Sequence, residues 1–173
     1  RAGALQAPMK VEHQTTVGAE LGADAVNAGM VSALVGLVAT MVFMLLIYGL
    51  LFGGISLIAL AVNGVMIVGI MSATQATLTL PGIAGLILTL AVAVDANVLI
   101  YERMRDELRA GRSLIISMES GFSLALATIF DANITHILSA MIMFQFGSGP
   151  VRGFAWTLAI GVLTTVFSAV LVT

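Results

Sequence analysis

Five apolar stretches, each close to twenty residues long, set the limits on what this chain can fold into. A bilayer core about 30 Å thick takes about 20 residues in helix. The stretches cover residues 26–48, 53–72, 80–101 and 122–146, and a fifth starts near Gly153 and runs to the end of the chain. None alternates with a period of two, so the pattern argues for helices rather than a β-barrel. Charged residues make up only 9% of the 173 residues and apolar residues 60%, with a mean hydropathy of +1.11. A soluble domain carries roughly 25% charged residues to coat itself. The expectation is an all-α, multi-pass membrane protein with five transmembrane helices.

The connections carry their own signals. Gly49, Gly53 and Gly54 mark a tight turn between the first two spans. Pro81 sits where a helix accepts proline, in its first turn, and Gly147-Ser-Gly-Pro150 makes the last turn. The long loop at 101–121 holds Arg103, Arg105, Arg109 and Arg112, four of seven basic residues, so the positive-inside rule puts it in the cytoplasm. Span parity then puts the first and second spans' turn inside, with the N-terminal segment and the other turns outside. Within the loop, Glu102/Arg105 and Asp106/Arg109 at i,i+3 predict a helical extension from Glu102 to Arg109. Gly111 ends it, and Ser113 is placed to cap a short amphipathic helix with Leu114, Ile115 and Met118 at the membrane surface.

Residues 1–25 differ in kind, with Pro8, polar side chains and breaks at Gly18 and Gly22 before Asp24. They predict the tail of an extracytoplasmic domain and the entry to the first span, followed by the bundle at 26–173. The chain starts at Arg1 rather than Met, as a piece of a longer polypeptide would, and no signal peptide is visible. Cysteine is absent, which removes disulfides and thiolate metal sites. Nothing basic enough for nucleic acid occurs, nor a Gly-rich phosphate loop, a His-rich metal cluster or a Ser/His/Asp set.

Two carboxylates stand inside the spans. A charge at the centre of a membrane helix costs at least about 2.5–3.5 kcal/mol, and such residues mark functional sites by default. Asp95 lies about six residues from the loop end of its span, and Asp131 about nine from the loop end of the next, so their depths are similar and the two could share one polar pocket between helices. Both open an Asp-Ala-Asn triplet, Asp95-Ala-Asn97 and Asp131-Ala-Asn133. Two positions apart on a helix is about 200°, so each Asn faces away from its Asp. Thr128 and Thr135 share the face of Asp131 and offer it hydroxyl hydrogen bonds. The face of Asp95 is apolar apart from Glu102 two turns on, and a carboxyl among apolar neighbours is suited to taking up and releasing a proton. The competing account makes both Asp inert helix–helix glue. Asn63 is expected as packing glue, His136 points away from Asp131, and snorkelling explains Arg152.

The run Leu80-Pro-Gly-Ile-Ala-Gly85, then Thr89-Leu-Ala-Val-Ala-Val-Asp-Ala-Asn-Val-Leu-Ile100 and Tyr101-Glu-Arg103, closely resembles the fourth transmembrane segment of the SecD family. The resemblance continues through Ile129-Phe-Asp-Ala-Asn-Ile-Thr135 and Gly153-Phe-Ala to the end, and it covers the whole chain, from the end of the family's periplasmic domain through transmembrane segments two to six. It implies a fold of the resistance–nodulation–division superfamily, with six helices packed pseudo-symmetrically against six from SecF. It implies a subunit of the bacterial Sec export machinery in the cytoplasmic (inner) membrane. Its partners would be SecF (separate or fused), the SecYEG translocon, unfolded preprotein and membrane lipid. It also implies a proton-driven motor rather than an enzyme, with the proton as coupling ion and no other cofactor. Asp95 is then the proton-carrying carboxylate, with Asp131, Asn97, Asn133, Thr128 and Thr135 as supporting polar residues. The spans hold no cation, so any Arg paired with Asp95 would come from chain beyond this one. Rival accounts are a proton-driven exporter of small molecules or lipids, an intramembrane aspartyl protease using Asp95 and Asp131 as a dyad, and a structural scaffold. Such proteases resemble one another in Tyr-Asp and Gly-x-Gly-Asp, whereas Val94 and Phe130 precede the two Asp here.

Overall fold

The computed structural model describes residues 19–76 and 78–172, with side chains from Gly22 onward. It comprises four helices: α1 (Ala19–Ala73), α2 (Leu80–Arg109), α3 (Leu114–Phe146) and α4 (Pro150–Leu171). All four are long and apolar enough to cross a membrane.

Helix α1 is two spans in one element. Its 55 residues would extend about 80 Å if straight, far beyond a bilayer. The break is Gly49, whose φ of 72° and ψ of −177° lie outside the helical region, in a conformation that glycine enters without steric cost. Beyond it the chain doubles back: a Cβ on Gly53 would sit 2.9 Å from the Met44 carbonyl oxygen, although nine residues of straight helix separate two atoms by about 13 Å. Residues 19–48 and 50–73 therefore form two arms meeting without a loop. Of the three glycines expected at this turn, Gly49 bends the backbone and Gly53 permits the close approach. Gly54 has nothing within 4 Å of where its Cβ would be.

Helices α2 and α4 form the middle. Where they cross, Gly82, Gly85 and Thr89 meet Gly153, Thr157 and Gly161, and a Cβ on Gly161 would overlap the Thr89 side chain. Small residues of this kind let membrane helices approach closely and gain van der Waals contact where lipid supplies no hydrophobic drive. Helix α3 packs along one side through Ser117, Gly121, Ala125, Ile129, Asn133 and Ala140. Helix α1 packs on α2 and α4 and, among the described residues, does not touch α3. Elsewhere large apolar side chains face outward all round, Leu50 at 86% exposure and Phe146 at 82% among them, which is the pattern of a multi-pass membrane protein.

Several local expectations need adjusting. Thr79 caps α2 by accepting from the Gly82 N–H at 3.2 Å, with Pro81 in the first turn, and α2 continues to Arg109, as the i,i+3 pairs predict. Gly111, at φ 85°, ends the connection. The separate amphipathic helix does not form: α3 starts at Leu114 and runs unbroken to Phe146, and Ser113 makes no capping hydrogen bond. Nothing after Met118 breaks the helix, so the apolar start simply joins the span. Helix α1 likewise already includes Ala19, ahead of the expected Val26, because Gly22 is tolerated inside a helix. Of the extracytoplasmic tail expected at residues 1–25, residues 1–18 lie outside the described residues.

Candidate functional site

Asp95 lies in the interior of α2, and its neighbours explain where it points. Gly82, Gly85, Thr89, Ala93, Ala96, Asn97 and Ile100 are buried against the other helices. The opposite side leaves a narrow exposed stripe of Ala84, Leu88, Ala91 and Asp95, spaced four, three and four residues apart as one face of a helix demands. Asn97, about 200° around, is 3% exposed and has a partner within the chain.

The same division holds on α3. Asp131 is exposed, while Asn133 is 3% exposed and its Nδ2 donates to the Ile129 carbonyl at 2.7 Å. The Oδ1 of Asn133 is buried without a hydrogen bond. Thr128 and Thr135 share the outward face with Asp131, but they do not serve its carboxylate. Their hydroxyls donate to the Leu124 carbonyl at 3.4 Å and the Asp131 backbone carbonyl at 3.2 Å. A hydroxyl on a helix satisfies itself on the preceding turn unless a better acceptor is held in reach.

The expectation of a carboxylate pocket inside this chain is thus corrected. Each triplet turns its Asn into the core and its Asp out. Neither Asp takes part in an ion pair among the described residues, where the salt bridges join Arg105 to Glu102, Arg109 to Asp106 and Arg112 to Glu107. An ionised carboxylate facing lipid carries the insertion cost above, so the outward faces of Asp95 and Asp131 call for protonation or for a polar partner from another polypeptide segment.

The buried polar groups are ones that sequence reasoning ranked low or passed over. Asn63 is fully buried and its Nδ2 donates to Thr165 Oγ1 at 3.1 Å, tying the second arm of α1 to α4. One turn along, Ser168 Oγ donates to the Ala59 carbonyl at 3.0 Å. Such interhelical bonds act as the packing glue expected of Asn63. The signal for its α4 partners was present as Gly153, Thr157, Gly161, Thr165 at four-residue spacing. His136 is half-buried with Nδ1 unpartnered. Arg152 Nε returns to the Gly147 carbonyl at 2.9 Å, closing the last turn. No group of three His, Asp or Glu able to hold a metal occurs among the described residues.

The family model described as protein export membrane protein SecD/SecF, C-terminal, matches residues 3–173. The chain belongs to the SecD/SecF family. Within it the match is to SecD: the protein translocase subunit SecD of Calditerrivibrio nitroreducens is 50% identical over 98% of this chain, and that of Syntrophobacter fumaroxidans 51% identical over 100%. The chain spans 33% and 32% of the length of these relatives. Among solved structures it is similar to SecDF of Thermus thermophilus, described as a translocon-associated membrane protein, with a TM-score of 0.86 and 47% identity over 90% of this chain and 22% of that one. A second SecDF structure, in a super-membrane-facing form, gives a TM-score of 0.80 at 48% identity over 86% of this chain and 20% of that one. Most of the length of these relatives and of the two solved chains therefore lies outside the part matched by this chain.

Proposed function

We propose that this chain is the membrane part of a Sec protein-export subunit that uses the proton gradient to promote preprotein translocation across the bacterial cytoplasmic membrane. Asp95 is the proton-carrying carboxylate. The observation that carries the reading is the joint one: similarity along the whole of this chain to about a third of translocase subunits named SecD, and a lone acid on the exposed stripe of helix α2. The partners are SecF, which covers that stripe, the SecYEG translocon and the unfolded preprotein; the coupling ion is the proton. The arginine-bearing connection between α2 and α3 lies in the cytoplasm, by the positive-inside rule.

The physics suffices for such a role. Each charge crossing 100 mV supplies about 2.3 kcal/mol. An Asp that alternates between charged and neutral changes what its helix face can pack against, which biases a two-state element. Because Asp95 faces outward from its own bundle, the groups that stabilise either form belong to the covering polypeptide. Asp131 supports the assembly from the outward face of α3, with Asn97 and Asn133 as buried supporting polar residues.

The test is Asp95→Asn in the full-length protein with its SecF partner, in vesicles that report proton flux and preprotein export together. The variant keeps the shape and cannot ionise, so the complex assembles while both readouts are lost. Wild-type flux and export would return Asp95 to the role of helix glue.

A further inference from the structure

At the loop end of the bundle, a cluster of side chains that the proton chemistry leaves unused grips the bend of α1. Tyr48, the residue before Gly49, donates its hydroxyl to Glu102 Oε1 at 3.0 Å. Arg105 Nη1 donates to the same oxygen at 2.8 Å, and its guanidinium lies 5.4 Å from the centre of the Tyr48 ring. The Tyr101 ring stands 5.4 Å from Tyr48 and 5.1 Å from Phe52, and its hydroxyl oxygen accepts from Ser56 at 3.0 Å. One turn of α2 therefore holds both arms of α1, the first through Tyr48 and the second through Phe52 and Ser56.

Three features distinguish this clasp from ordinary glue. Between residues 22 and 48 the first arm buries only Met44, so above its base it lies loosely on the bundle, whereas the second arm is pinned by Asn63 and Ile67, both fully buried. The space beside the clasp, lined by Ile47, Tyr48, Phe52, Tyr101, Met104 and Arg105, is not filled and amounts to about 150 Å³. Glu102 lies seven residues from Asp95, two turns along the same helix face and about 10 Å down the axis. The first arm is about 45 Å long, so a tilt of about 5° at its base displaces the far end by about 4 Å.

We propose that Tyr48, Glu102 and Arg105 are positioning residues that couple the state of the Asp95 helix to the tilt of the first arm of α1. The proposal rests on the proton-carrier reading of Asp95 and adds how that helix reaches the arm leading to residues 1–18. Movement of α2 at Asp95 arrives at Glu102 as a rigid-body shift, and the charge-assisted hydrogen bond hands it to Tyr48 at the pivot. The second arm, although it also meets Tyr101, is anchored to α4 by the Asn63–Thr165 and Ser168–Ala59 hydrogen bonds, which hold it back while the first arm tilts.

The experiment uses the full-length protein with SecF in vesicles, comparing Tyr48→Phe, Glu102→Gln, the double variant and Glu102→Asp. Losing one hydrogen bond should cut export per proton moved roughly fivefold, with proton flux close to wild type. The double variant should be no worse than Glu102→Gln, since both act on one contact, and Glu102→Asp should restore part of the coupling. Spin labels at the exposed positions 34 and 65, one on each arm of α1, read the opening of the arms directly. Asp95→Asn should change their distance in the wild-type background and leave it unchanged with Tyr48→Phe. Flux and export falling in equal proportion, unchanged export, or a label shift that survives Tyr48→Phe would overturn the clasp. Flux in Asp95→Asn alone reports separately on the carrier assignment.

Discussion

The two Asp-Ala-Asn triplets have the same sequence and different surroundings. On α2 the triplet sits in a helix packed by α1, α3 and α4, and Asp95 emerges through a stripe one residue wide. On α3 it sits at the periphery, and Asp131 shares a broad outward face with Thr128, Thr135 and several large apolar side chains. Their asparagines differ as well. Asn97 is partnered, whereas Asn133 satisfies only its amide nitrogen and lines an apolar cavity of about 420 Å³ between α3 and α4. A motif thus sets which side chains oppose each other around a helix, and the helix's place in the bundle sets what each one does.

The largest effect should separate the two acids. Asp95→Asn is expected to abolish export, while Asp131→Asn, which keeps size and most hydrogen bonds but loses the charge, should lower it about fivefold, as for one hydrogen bond lost to a group outside this chain. Export assays on the two variants at matched protein levels decide it, and equal, complete loss would erase the distinction drawn between the helices.

Packing around the central triplet should be the next most sensitive. Gly161→Leu drives a side chain into Thr89 of α2 and should destabilise the bundle by about 3 kcal/mol or more, as overpacking of a tight crossing does. Thermal unfolding in detergent would show it. A near-normal midpoint would mean that α2 and α4 are free to separate.

The smallest effect, and the sharpest comparison, concerns the asparagines. Asn97→Leu loses a satisfied buried amide and should cost about 1–3 kcal/mol, whereas Asn133→Leu removes an orphaned oxygen beside an apolar cavity and should fall within about 0.5 kcal/mol of wild type. Denaturation of the two variants side by side tests this, and equal costs would show that Asn133 holds a partner from outside the chain.

Much of the fold was legible because the lipid environment makes composition decisive. The spans followed from runs of apolar residues, the bend from Gly49, and the α2 extension from Glu102/Arg105 and Asp106/Arg109. The unbroken start of α3 was not legible, because Leu114, Ile115 and Met118 suit a surface helix and the first turns of a span equally well. The candidate site was legible as residue types. That Asp95 and Asn97 oppose each other follows from helical periodicity alone, but which of them faces inward depends on Gly153, Thr157 and Gly161 lying sixty residues away on α4.

The sequence by itself determined the all-helical class, the stretches apolar enough to cross a membrane and the angular relation between the members of each triplet, since these depend on hydrophobicity and on 3.6 residues per turn. Only the tertiary structure decided that both acids look outward, that Asn63 pairs with Thr165, and that Tyr48 at the bend meets Glu102. Those outcomes come from which small residues allow which helices to close, and that contact geometry joins positions 54 and 102 residues apart, far beyond the reach of any local pattern.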